Sequence, residues 1–204
     1  MNAFTRLTAI ACPLNVANID TDQLLPARFL KISRSAGLGK LLLHDMRLDP
    51  DGNERPDFPL NRAPWRKARI IVGGSNFGGG SSREAAVYAL YDYGVRCVIA
   101  PSFGDIFAQN SIKNGLLPAV ASAADVVELA AMLERHPDLD VTVDLEAQSV
   151  TCGNYAFKFS ISPSWRDQLL NGWDEIDLTR SHKRQIDGFR QAKQQSEPWI
   201  FSRD

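Results

Sequence analysis

The stretch Ile70-Ile71-Val72-Gly73-Gly74-Ser75-Asn76-Phe77-Gly78-Gly79-Gly80-Ser81-Ser82-Arg83-Glu84 decides how the rest of the chain is read. A β-branched apolar run ends abruptly in glycines, two serines follow, and helix formers continue to Leu90. That order predicts a strand, a glycine loop and a helix N-terminus. Glycine has no Cβ, so bare backbone can approach a ligand closely there. Ser81 or Ser82 is the expected N-cap, and the first-turn N–H groups beyond it carry partial positive charge. Arg83 adds a planar guanidinium able to grip a carboxylate or phosphate with two parallel hydrogen bonds. The loop therefore reads as an anion cradle.

A nucleotide phosphate fits this cradle poorly. Gly78 and Gly80 open a Gly-x-Gly-x-x-Gly pattern, but Arg83 stands where the third glycine must let helix and strand pack. A phosphate-binding P-loop fails as well, because Gly79 and Gly80 replace its Lys-Ser/Thr pair. The acid that would bind a ribose about 20 residues on is also missing. A small carboxylate suits an arginine fork flanked by hydroxyls better.

Outward from the loop, the chain alternates strand and helix. Residues 5–11 read as a strand, and Asn18-Ile19-Asp20-Thr21-Asp22 as a turn and helix cap. Arg83–Tyr93 is an expected helix closed by Gly94, Val95–Ala100 a buried strand, and Asp105–Asn114 a second helix. Leu116–Val120 begins another strand, and Ala123–Arg135 is the clearest amphipathic helix. From Asp140 the pattern changes to short alternating strands at 141–145, 149–152 and 155–161, as in antiparallel hairpins. Residues 164–195 read as surface helices whose Arg180, Lys183, Arg184, Arg190 and Lys193 form a solvated face. Ser35–Lys67 is broken by Gly37, Gly39, Pro50, Gly52, Pro56, Pro59 and Pro64. It is expected to be a flap that settles only against a partner or substrate, with Arg47 in solvent.

Composition narrows the function classes. At 204 residues the chain is sized for one domain, 1–204. A net charge of −1 offers no electrostatic footprint for nucleic acid or an anionic membrane. Apolar runs fall short of the 18 or so residues a membrane span needs, and no secretory apolar core opens the chain, so the expected location is cytoplasmic. Cys12, Cys97 and Cys152 are far apart with no Cys-x-x-Cys among them, and His44, His136 and His182 lack partners at ligand spacing. No metal or cofactor site is expected in this chain.

Several segments together resemble one family. Asn76-Phe77-Gly78-x-Gly80-Ser81-Ser82-Arg83-Glu84 is similar to the signature of isopropylmalate dehydratase small subunits, the swivelling domain of the aconitase superfamily. Asn18–Pro26, Pro56–Asn61, Ile99–Phe107 and Lys113–Pro118 resemble that family's other motifs, in the family's order, across about the first 120 residues. Asp174–Thr179 adds a weaker likeness. Two positions depart from the pattern: Gly79, where the family commonly has cysteine, and Ala85, where it has histidine.

The resemblance implies a three-layer β/β/α swivelling domain, with parallel strand–helix units followed by antiparallel hairpins. It implies a hydro-lyase half-site that interconverts 2- and 3-isopropylmalate by dehydration and rehydration in leucine biosynthesis. Ser81 would be the base that takes the proton from carbon, Arg83 the carboxylate partner, and Ser82 a substrate contact. Leu30 and Lys31 would read the substrate's distal group. Such dehydratases use an iron–sulfur cluster, which these cysteines are unsuited to hold. A 4Fe-4S cluster is therefore expected in a separate large subunit, joined with this chain in a heterodimer or heterotetramer around a small dicarboxylate. Two alternatives stay open: a diverged carboxylate-binding subunit without catalysis, and a dehydratase for a related alkylmalate. A single-chain hydrolase using Ser81 lacks a recognisable histidine base.

Overall fold

The computed structural model describes residues 1–81 and 83–201, in two compact units: Met1–Gly172, and the residues from Trp173 onward. The first unit is built on a mixed seven-stranded sheet of order β4-β3-β2-β1-β5-β6-β7. β1 (Arg6–Leu14) lies at its centre and belongs to both halves. Its first part, Arg6–Ile10, pairs antiparallel with β5 (Asp140–Asp144), and its second part, Ala11–Leu14, pairs parallel with β2 (Ile70–Gly73). β3 (Cys97–Ala100) and β4 (Leu117–Val120) extend the parallel half. β6 (Ser149–Cys152) and β7 (Tyr155–Lys158) complete the antiparallel half as hairpins. The expected β/β/α arrangement is thus realised as one curled sheet that changes strand direction at β1.

The parallel strands alternate between two cores, as the period of two in a strand requires. Ile70, Val72, Cys97, Ile99, Leu117 and Ala119 face one core, shared with the antiparallel strands. There α5 (Ala123–Arg135) inserts Val126, Leu129, Ala130 and Leu133, the i, i+3, i+4, i+7 stripe that its sequence carries. Its N-cap Ser122 accepts from the Asp125 N–H at 3.1 Å. Cys12, Leu14, Ile71, Val98 and Ala100 face the other core. That core is covered by α3 (Glu84–Tyr93), through Ala86, Val87, Ala89 and Leu90, and by Phe107 of α4 (Asp105–Lys113).

Two expectations are corrected. Residues 35–67 are not an unsettled flap: they fold as 3₁₀ turns and the short α2 (His44–Arg47), and they bury Leu38, Leu42, Leu43, Leu60 and Trp65 in the second core. Arg47 is not in solvent but 8% exposed. Its Nε donates to Asn61 Oδ1 at 3.1 Å and its Nη1 to the Leu42 carbonyl at 3.3 Å, while Asn61 Nδ2 donates back to the Arg47 carbonyl at 2.7 Å. A buried guanidinium is tolerated because these acceptors replace water. The second correction concerns α6 (Pro163–Asn171), read as the first of the surface helices, which instead buries Leu169 in the first core. In the second unit, α7 (Glu175–Ser181) and α8 (Lys183–Ser196) bury no residue, and Arg180, Lys183, Arg184 and Arg190 are exposed.

Candidate active site

Three loops leave the C-terminal ends of β1, β2 and β3 side by side, the place where parallel α/β sheets bind ligands. The glycine loop after β2 is held from both flanks. On the β1 side, Gly78 N–H donates to the Ile19 carbonyl at 2.7 Å and Thr21 N–H to the Gly79 carbonyl at 3.1 Å. The Thr21 hydroxyl then donates to the Ser81 carbonyl at 2.6 Å. On the β3 side, Asn76 N–H donates to Ser102 Oγ at 2.8 Å, Phe77 N–H to the Ser102 carbonyl at 3.0 Å, and Gly104 N–H to the Phe77 carbonyl at 3.0 Å. Gly78 has no substitute here. Its φ is +71°, and an added Cβ would lie 2.2 Å from the Phe107 ring.

Asp20 caps the short α1 (Thr21–Leu24) through a reciprocal capping box with Gln23, as its residue type suggests. Its neighbour Asp22 does something the sequence did not show: its carboxylate forms an ion pair with Arg83. It also accepts from the Ala27 N–H at 3.1 Å. The guanidinium beside it holds the Asp22 carboxyl below the usual carboxylate range, and the carboxylate in turn pushes Arg83 higher. Arg83 is only 17% exposed at its side chain. Its Nη1 is buried against the Asp22 carboxylate, which orients the fork. A guanidinium oriented by one carboxylate can meet a ligand carboxylate with its other N–H groups.

The helix itself begins later than the serines suggest. Arg83, not Ser81, occupies the N-cap position of α3, without a side-chain capping bond. The loop's ties to Thr21 keep Ser81 out of the helix and leave it exposed. Ser82 lies outside the described residues. Beneath Ser81 is a cavity of about 200 Å³, lined by Gly78, Gly80, Ser81, Gly104, Asp105 and Ile106, with the α4 N-terminus forming its far wall. Glu84, in the first turn of α3, accepts from Asn114 Nδ2 at 2.9 Å, which ties a fourth family-like segment to the same place.

Ser81 and Arg83 are thus brought together, while Leu30 and Lys31 are not joined to them. Those two residues follow a 3₁₀ turn at Ala27–Phe29 and are exposed, Leu30 at 44%. Among the described residues no hydrogen bond or ion pair links either one to Ser81 or Arg83. Their turn is fixed instead to α2 by Arg28 on Asp45, at 2.8 Å from Nη1, and by Phe29 against the His44 ring at 4.9 Å. The residues missed from sequence are Thr21, Asp22, Ser102 and Asn114. Each lies inside a segment that resembled the family, and that was the only signal available for them.

The chain's residues do not fit an iron–sulfur cluster. Cys12, Cys97 and Cys152 are buried and divided between the two cores, and burial pushes each thiol up. No group of three metal-ligating side chains occurs among the described residues. No helix there is long and apolar enough to cross a membrane.

Residues 1–124 match the family model described as the aconitase C-terminal domain. The chain is 46% identical over 202 residues to a 3-isopropylmalate dehydratase small subunit of Rhodospirillum centenum, covering 98% of this chain and 100% of that protein. It is 48% identical over 201 residues to a protein of the same description from Roseobacter denitrificans, again over 98% and 100%. Its fold matches the crystal structure of a 3-isopropylmalate dehydratase from Methanocaldococcus jannaschii with a TM-score of 0.61. That likeness is at 24% identity and covers 91% of this chain and 99% of the other.

Proposed function

The chain belongs to the 3-isopropylmalate dehydratase small subunits, within the aconitase C-terminal domain family, and from that membership we propose how its glycine loop acts. The enzyme is a hydro-lyase that interconverts 2- and 3-isopropylmalate in leucine biosynthesis. In our reading Ser81, as its alkoxide, takes the proton from the carbon next to a substrate carboxylate. The hydroxyl leaves from the neighbouring carbon as water, taking the proton it needs from an acid on the partner subunit, and re-addition in the other sense gives the isomer. Charge that builds on the carboxylate during deprotonation is met by Arg83 and by the α3 N-terminus. Ser82 contributes a further substrate contact, and Leu30 and Lys31 sort the distal group once the partner has closed over them.

One observation carries this reading. Exposed Ser81 stands over one small cavity, on the loop that also carries the Asp22-paired Arg83, and Thr21, Asp22 and Ser102 from the flanking segments fix that loop in place.

A serine hydroxyl is a weak base, and the helix end can supply at most about 2 kcal/mol, worth one to two pKa units. The remainder must come from a dry, cationic surrounding that this open cavity lacks. We therefore assign it to a large subunit that carries the 4Fe-4S cluster, in a cytoplasmic heterodimer or heterotetramer. The test is to assay the purified chain with and without a cluster-loaded large subunit, following the alkene intermediate by its absorbance. Activity is expected only from the mixture. Turnover by the chain alone would overturn the division of labour.

A further inference from the structure

Beside the catalytic cavity the same face continues into a larger depression of about 520 Å³. Its walls have three sources. α4 presents Asp105, Ala108 and Gln109, one face of a helix at i, i+3 and i+4. β4, the last strand of the parallel half, turns Pro118 and Val120 toward it while Leu117 and Ala119 face the core. Trp165 of α6 closes the third side, and Phe103 stands at the boundary with the glycine loop. Val120 is 36% exposed and nearby Ile106 48%. The depression adjoins the catalytic cavity, since Asp105 lines both.

Its chemistry excludes the substrate. A dicarboxylate needs cations, yet the only ionisable side chain in this lining is Asp105. Among the described residues Asp105 has no ion pair. An apolar trough with one unmatched carboxylate suits a protein segment with apolar side chains and a lysine or arginine. We propose that this groove is the docking site for such a segment of the large subunit, the same partner that seals the cavity under Ser81. This inference rests on the reading above that the chain is half of a two-subunit enzyme. A partner that dries Ser81 must cross Ile106 and the α4 N-terminus, and the groove is the apolar ground next in line.

The test is titration calorimetry of the chain with purified large subunit. A Val120→Lys/Gln109→Lys variant sets two cations against the partner's cation at exposed positions and should weaken assembly at least tenfold, with an unchanged melting temperature. Val127→Lys, at a 57% exposed apolar position on α5, is the control and should bind as the unaltered chain does. In parallel, amide exchange on the unaltered complex should show new protection at the first-turn amides of α4, 105–107. This second measurement decides the matter even if the double variant folds poorly. Binding of the double variant within twofold of normal, or no protection there, would overturn the groove assignment. So would concentration-dependent self-association of the chain that Val120→Lys abolishes. Failure of the unaltered chain to bind the large subunit at all would instead overturn the underlying functional reading.

Discussion

Replacing Gly79 with alanine tests the packing of the glycine loop, and its sign can be worked out in advance. A Cβ built on Gly79 would lie 2.8 Å from Asn76 Nδ2, 2.9 Å from Oδ1 and 3.1 Å from Cγ. The carboxamide of Asn76 thus fills the place a side chain at 79 would take. It is held there by its bond to Asn18 Oδ1 at 3.0 Å. Alanine would push the amide off, losing that bond at a net cost of about 0.5–1.5 kcal/mol, and forcing an off-rotamer side chain at about 0.5–1.5 kcal/mol more. Asn76 is exposed, so water can take up the freed amide and the lower ends of these ranges apply. Alanine also stiffens the unfolded chain, which returns about 0.4–1 kcal/mol. The net expectation is a loss of about 0.5 kcal/mol at most, or roughly 1–2 °C in melting temperature for a chain of this size. In an Asn76→Ala background the obstruction is gone, since only atoms beyond Cβ crowd the site. The same Gly79→Ala change should then be neutral or stabilising. Denaturant unfolding of the four proteins reads the cycle directly. Equal destabilisation by Gly79→Ala in both backgrounds would refute the reasoning.

Three further outcomes follow from the site. Ser81→Ala in the reconstituted complex should assemble and bind substrate near its normal concentration while turnover falls by about 10²–10⁴; near-normal turnover would remove Ser81 from the role of base. Asp22→Asn frees the Arg83 fork from its orienting partner, so KM should rise along with a fall in kcat; a change in kcat alone would mean Asp22 does not act through ground-state binding of the carboxylate. Asp22, Asp45 and Asp125 are held below the usual carboxylate range by Arg83, by Arg28 and by Ser122 respectively. Their folded-state pKa is depressed, so the stability they add is complete above about pH 4 and is lost as pH falls through the folded values. Unfolding midpoints should stay flat from pH 7 to 5 and drop below 4, and Asp22→Asn should shrink that drop.

Much of the parallel half was legible because its residues obey a period. The α5 stripe and the β-branched runs at 70–72 and 97–99 state their own faces. The glycine loop announced itself by composition, and its role came from likeness to a family. Residues 35–67 were illegible for a physical reason: their buried leucines follow no helix or strand period, and they are placed by contacts such as Arg47 with Asn61, 14 residues apart. Asp22 and Arg83 pose the same difficulty at longer range, since sequence alone cannot say which acid meets which base. The helix start was misplaced because serine is a favoured cap, whereas here Thr21 claims the Ser81 backbone first.

The double membership of β1 has a consequence for the order in which the chain can be made. During synthesis from the N-terminus, the second part of this strand meets β2 after about 60 residues, but its first part waits for β5, well over a hundred residues later. Through that interval Arg6–Ile10 presents open backbone along one edge, including the alternating apolar positions Leu7 and Ala9. Pairings so distant in sequence form slowly. The nascent subunit should therefore be most prone to self-association, and most dependent on chaperones, after β4 has emerged and before β5 has. A ribosome stalled once β4 has cleared its exit tunnel, with β5 still inside, would present that vulnerable species.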